Sequence, residues 1–114
     1  MAGTPVLLEI HQVESGHAVV FRLVGVLDIS TVGILRGTVS PHLRRHAEAV
    51  VDLSDVTFCD STGLGAIVAL HREAGRAGSS FALRSPRPRV AAVLAMTGVD
   101  QVVTIVDSPA DPAG

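Results

Sequence analysis

Hydrophobic residues along this chain switch between a two-residue and a roughly four-residue period, and the switches mark the elements. Residues 6–13 alternate, with Leu8 and Ile10 on one side and Glu9 and His11 on the other, which predicts a strand. Glu14-Ser15-Gly16 supplies a turn, and residues 17–25 form a second alternating strand through Val19, Phe21 and Leu23. The short connection implies an antiparallel hairpin. Gly25-Val26-Leu27-Asp28 leaves that strand for a first helix, capped by Ser30 or Thr31 and bearing Ile34, Leu35 and Val39. Pro41 ends or kinks this helix near Ser40, with Leu43 extending its apolar side.

Residues 49–53, Ala-Val-Val-Asp-Leu, are short and almost continuously apolar, as a doubly covered parallel strand requires. A helix follows over 61–77, with Leu64, Ile67, Val68 and His71 spaced to share one face. Asp60 is its N-cap, and Gly75 and Gly78 suit a left-handed C-terminal cap behind the arginines of the last turns. Residues 81–84 are a fourth strand. Pro88 opens a helix over 88–97 that turns Val90, Val93 and Leu94 inward and stops at Gly98, with Val99 placed for the contact that follows such a cap. Residues 102–106 are the last strand, and residues 1–5 and 108–114 read as flexible ends. The order β, β, α, β, α, β, α, β predicts one α/β domain: a mixed sheet with an N-terminal antiparallel hairpin, the other strands largely parallel, covered by about three helices.

Composition narrows the function. A chain of 114 residues supports one core. Apolar residues make up 47%, yet no run reaches membrane-spanning length and the N-terminus carries no export signal. A single cysteine excludes an internal disulfide and fits a reducing cytoplasm. A net charge of −2 and three phenylalanines as the only aromatics lack the basic stripe and stacking surface that nucleic acid needs.

The chemistry gathers at Asp60-Ser61-Thr62-Gly63-Leu64-Gly65, a polar junction between the buried strand and the helix after it. The Asp60 carboxylate suits the unpaired amides of the first turn, and Ser61 falls in that turn with its hydroxyl toward water. Gly63 and Gly65 each cost a helix on the order of 1 kcal/mol relative to alanine. Either a partner approaches closely there, or the glycines serve helix–sheet packing. Asp28 reads as a cap on the first helix or as part of the same surface. Ser61 lacks the Gly-x-Ser-x-Gly elbow of a hydrolase, and no histidine has the spacing of a placed base. Cys59 is isolated, and Asp52, Asp55 and Asp60 make no calcium loop, so the residues point to no metal and no cofactor. A triphosphate site would lack its lysine, since the chain has none.

The run from Val50 to Gly65 resembles the signature of the STAS family, the domain of bacterial anti-sigma factor antagonists. Gly25-Val26-Leu27-Asp28 resembles an earlier motif of that family. Pro88-Arg89-Val90 with Leu94 and Thr97-Gly98-Val99 resembles a later one. The similarity spans about residues 6–107. It implies a non-enzymatic, cytoplasmic protein whose unphosphorylated form binds an anti-sigma factor that is also a serine kinase, releasing the sigma factor. Phosphorylation of Ser61 would block that binding, with Asp28, Asp60, Ser61, Thr62, Gly63, Leu64 and Gly65 as the contact residues. Two departures stand out: Val26 replaces the polar residue many relatives carry, and the helix that often follows the last strand is absent or reduced to residues 108–112. The resemblance also admits a STAS module of a signalling scaffold or transport complex in which Ser61 stays unmodified. From another class, a small-ligand binder or hydrolase using Ser61 is the remaining alternative.

Overall fold

A computed structural model of the chain describes residues 7–45 and 47–106. Strands β1 (Leu8–Ser15) and β2 (Ala18–Leu27) form the expected antiparallel hairpin, closing at Ser15 opposite Ala18. Gly16 holds φ +64° in the two-residue turn, a conformation that glycine reaches without a Cβ penalty. The part of the predicted first strand before Leu7 and the two predicted flexible ends lie outside the described residues. After β2 come α1 (Val32–Arg44), β3 (Glu48–Cys59), α2 (Ser61–Ala77), β4 (Phe81–Arg84), α3 (Pro88–Thr97), a short 3-10 turn at Val99–Gln101, and β5 (Thr104–Val106). The sheet order is β1-β2-β3-β4-β5, antiparallel only at β1–β2. This is the mixed, helix-covered sheet that the sequence predicts. Among the described residues no helix is long and apolar enough to cross a membrane.

Alternation decides what is buried. Phe21, Leu23, Val51, Leu53 and Leu83 are fully inaccessible and meet Leu35, Val39, Leu43, Ile67, Leu70 and Leu94 from the helices. Phe21 and His42 of α1 pack as a T-shaped pair, ring centroids 5.1 Å apart and 77° inclined.

Three expectations are corrected. The buried strand does not stop at Leu53: β3 runs on to Cys59, because β2 continues beside it to Leu27. The register slips between Arg22 and Val24 and again between Gly25 and Val26, each time with one extra residue in β3. These bulges break the period-two pattern, so the second half of the strand reads as a polar loop. Helix α1 also continues through Pro41 to Arg44. Only three residues follow the proline. The burial of Leu43 contributes about 2–3 kcal/mol, comparable to the roughly 3 kcal/mol that an interior proline costs. On that helix Leu35, Val39 and Leu43 are inside, whereas Ile34 is 49% exposed. Third, the inward face of α2 is Gly63, Leu64, Ala66, Ile67, Leu70 and Ala74, so Val68 and His71 lie at its margin. The remaining bounds of α2, β4 and α3 stand as predicted, while β5 begins two residues late because Val99–Gln101 is wound into the 3-10 turn.

Candidate functional site

Parallel pairing places Leu27 at the end of β2 opposite Cys59 at the end of β3. Asp28 and Asp60 therefore emerge side by side at the carboxyl edge of the sheet. The Asp60 amide donates to the Leu27 carbonyl at 3.1 Å, tying the start of α2 to the end of β2. Asp60 caps α2 as expected: its Oδ1 accepts from the Thr62 amide at 2.9 Å and the Gly63 amide at 3.0 Å. Ser61 is the first residue of α2 and is exposed, and its hydroxyl forms no hydrogen bond with any described residue. Thr62 is half-buried beside it.

Asp28 shapes the facing loop. Its Oδ1 accepts from the Ser30 hydroxyl at 2.6 Å and the Ser30 amide at 2.9 Å, and its amide donates to Thr31 Oγ1 at 3.0 Å. The Ser30 hydroxyl, more than any other contact, holds the Asp28 carboxyl below its ordinary pKa. The loop therefore presents an ionised carboxylate. Neither Ser30 nor Thr31 caps α1 by its side chain. Thr31, 1% exposed, instead donates its hydroxyl to the Val26 carbonyl at 2.8 Å.

The glycines divide between the two readings. A Cβ on Gly63 would stand 2.8 Å from the Leu27 carbonyl oxygen, 2.9 Å from Cys59 Sγ and 2.9 Å from Leu27 Cβ. Gly63 is buried, and its bareness lets α2 press on the ends of β2 and β3. The expectation that it opens the helix to a partner is corrected to packing. Leu64, 7% exposed, belongs to the core for the same reason, so neither residue offers a contact surface. Gly65 is exposed, with nothing within 4 Å of its Cβ position, and leaves bare backbone one turn from Ser61. Gly25 is fixed by conformation: φ is +135°, and a Cβ would lie 2.1 Å from the Leu7 carbonyl oxygen, which accepts from the Val26 amide. Glycine is thus required in Gly25-Val26-Leu27-Asp28 by the close crossing of the chain before β1.

Cys59 is buried, and burial, with the Asp60 charge second, pushes its thiol up to about 11. It is a small core residue rather than a nucleophile. Among the described residues, Ser61 lines none of four surface cavities of about 200 to 480 Å³, and its hydroxyl has no hydrogen-bonded base. Among the described residues no group of three His, Cys, Asp or Glu side chains could hold a metal ion. Two apolar residues at this edge escape sequence reasoning: Ile29, 76% exposed beside Asp28, and Phe58, 52% exposed just before Cys59. An isoleucine inside an Asp-x-Ser turn is a readable signal. Phe58 is not, because the preceding bulges fix which way it points.

Comparison with known proteins places this arrangement. A family model described as Mlab, STAS domain, matches residues 10–106. The chain is 30% identical over 102 residues to the anti-sigma F factor antagonist of Paenibacillus polymyxa, covering 85% of this chain and 87% of that one. It is 45% identical over 56 residues to a Thermotoga neapolitana protein named as a candidate anti-sigma factor antagonist, a match spanning 49% of this chain and about half, 50%, of that relative. Among solved structures, the Bacillus antagonist SpoIIAA shares the fold in its unphosphorylated form, with TM-score 0.74, 24% identity and 93% and 91% of the two chains covered. Its phosphorylated form gives TM-score 0.69 at 23% identity over 93% and 95%.

Proposed function

The chain belongs to the STAS family, and from that premise we propose that it is an anti-sigma factor antagonist acting by binding, not by catalysis, in the bacterial cytoplasm. Its unphosphorylated form binds an anti-sigma factor with serine kinase activity and so frees the sigma factor. Phosphorylation of Ser61 breaks the complex. The observation that carries this reading is the exposed Ser61 hydroxyl, standing at the start of a capped helix between two carboxylate-bearing loops. The contact surface is Asp28, Ile29, Asp60, Ser61, Thr62 and the bare backbone at Gly65, while Gly63 and Leu64 support it from beneath.

A phosphate there adds about −1.5 to −2 charge and three acceptor oxygens at the centre of the surface. Asp28 and Asp60 already make that surface negative, so the added charge opposes docking on any acidic partner face. One misplaced charge in an interface is worth about 4 kcal/mol, nearly a thousandfold in affinity. That a phosphorylated relative keeps this fold supports a switch acting at the surface rather than by unfolding. The test is incubation with the cognate kinase and ATP, followed by titration of the two proteins. Wild type acquires phosphate at Ser61 and loses affinity, Ser61→Ala stays unmodified and bound, and Ser61→Asp binds weakly. Phosphate on another residue, or full binding by Ser61→Asp, refutes the switch.

The matching family model bears the name Mlab rather than that of a sigma-factor regulator, which keeps a second reading: a STAS module in a scaffold or transport complex. It predicts partner binding through the same edge that is indifferent to Ser61→Asp.

A further inference from the structure

The net charge of −2 conceals a segregation. Helices α1 and α2, with Arg45 just after α1, carry five arginines, Arg36, Arg44, Arg45, Arg72 and Arg76, against a single acidic residue, Glu73. The rest of the chain carries four arginines and ten acidic residues. Both helices connect parallel strands and so run parallel to each other. A groove of about 470 Å³ between them is lined by Arg36, Ser40, Arg44, Glu73, Arg76 and Ala77. Glu73 is engaged inside it: one carboxylate oxygen accepts from the Ser40 hydroxyl at 2.7 Å, the other from Arg44 at 3.3 Å. Arg36 and Arg76 are exposed and, among the described residues, in no salt bridge. The groove therefore holds two uncompensated positive charges. Helix stability does not account for them. Arg44 and Arg76 suit the last turns of their helices, but Arg36 stands in the second turn of α1, nearer the end that favours anions. Arg72 and Arg76 are like charges four residues apart, a pairing that disfavours the helix.

We propose that the α1–α2 groove is a second docking surface, one that takes an acidic helix of a protein partner. Guanidinium groups match carboxylates with paired N–H donors, and three of them face this groove. Arg36, Ser40 and Arg44 follow one another at four-residue steps along one stripe of α1, so the two arginines lie roughly 12 Å apart along the axis. A helix laid in the groove has the same rise, so carboxylates seven or eight residues apart on one of its faces reach both, with Arg76 on the opposite wall. The lining holds no aromatic and no large apolar side chain, which leaves no seat for a nucleobase or an acyl chain. An extended polyanion such as a duplex or a membrane also meets the ten acidic residues elsewhere, whereas a short acidic helix meets only the groove. Exposed ion pairs are individually weak, so the contact is half-occupied at roughly 0.1–1 mM. Arg76 lies roughly 22 Å along α2 from Ser61, so the groove works independently of the phosphorylation switch.

The test is an amide NMR titration of the whole chain, at low salt, with an alanine-based helical peptide bearing glutamates along one face at seven- and eight-residue spacing. Signals of Arg36, Ser40, Arg44 and Arg76 shift, while those of Asp28, Asp60 and Ser61 stay. A peptide of the same composition with its glutamates spread around the helix binds at least fivefold more weakly. Arg36→Glu and Arg76→Glu each weaken binding at least tenfold with melting temperature maintained. Glu73→Gln, which removes the carboxylate that competes for Arg44, tightens it severalfold, an effect that a merely structural Glu73 would not give. Ser61→Asp binds the peptide like wild type, so this proposal and the switch fail separately. No shift at about 2 mM peptide, equal binding of the two peptides, or binding indifferent to both arginine variants overturns the inference. So does loss of binding in Ser61→Asp. Tighter binding through the same arginines to inorganic triphosphate, or to vesicles of phosphatidylglycerol and phosphatidylcholine, also overturns it, assigning the groove to a small anion or to a membrane.

Discussion

Gly63 and Gly65 lie two residues apart in one helix, and the same substitution at each should move stability in opposite directions. At Gly63 an added methyl meets the Leu27 carbonyl oxygen at 2.8 Å, with Leu27 Cβ and Cys59 Sγ at 2.9 Å. None of these is the free end of a flexible side chain, and the Leu27 carbonyl is held by the Asp60 amide. Overpacking of this kind costs about 1–3 kcal/mol, against which alanine's better helix propensity returns at most about 1. Gly63→Ala should thus lose about 1–2 kcal/mol net, a fall in melting temperature of roughly 5 °C or more for a domain this size. Gly65→Ala projects its methyl into open space and should gain about 0.5–1 kcal/mol, a rise of a few degrees. Thermal and urea unfolding of both variants decide the matter. A Gly63→Ala protein as stable as wild type would refute the packing argument, and a destabilised Gly65→Ala would refute the claim that its surroundings are empty.

Removing the cap by Asp60→Ala should cost about 0.5–2 kcal/mol by urea unfolding, since two first-turn amides lose their acceptor. Asp28, held low chiefly by the Ser30 hydroxyl, contributes stability above its ordinary 3.8 that is lost as pH falls through its native value. Ser30→Ala should raise its carboxyl titration, read by NMR, toward 3.8. Cys59 keeps its proton in the native state up to about 11, whereas the unfolded thiol releases it near 9.0. The folded state binds more protons in that window, so stability falls as pH rises from about 9 to about 11. The chain has no lysine or tyrosine, so no other side chain titrates there, and the decline in urea midpoint should vanish in Cys59→Ala.

Where punctuation is local, the sequence is a sufficient guide. Asp60 and Gly78 bracket α2, and Pro88 and Gly98 bracket α3, because a carboxylate cap, a left-handed glycine and a first-turn proline act within a few residues of themselves. The exposure of Ser61 follows in the same way from its place at the head of a capped helix. What could not be read depends on distant chain. The bulges that carry β3 to Cys59 exist only against β2, and the neighbourhood of Asp28 and Asp60 arises from that pairing. The two glycines of α2 look alike along the sequence. Leu27, more than thirty residues away, makes one of them packing and leaves the other bare.

The cap also bears on how far a charge at Ser61 can act. An α-helix offers four unpaired amides at its start, and an anion placed there is ordinarily absorbed by them. In α2 most are engaged: the Asp60 amide donates to the Leu27 carbonyl, and Thr62 and Gly63 donate to the Asp60 carboxylate. A phosphate on Ser61 would find few donors left and a carboxylate beside it. Its charge would then remain directed outward, at whatever docks on this edge, rather than being neutralised by the helix. Asp60 thus does two things with one side chain. It closes the helix so that the fold does not depend on the state of Ser61, and it denies an added anion the amides that would mute it.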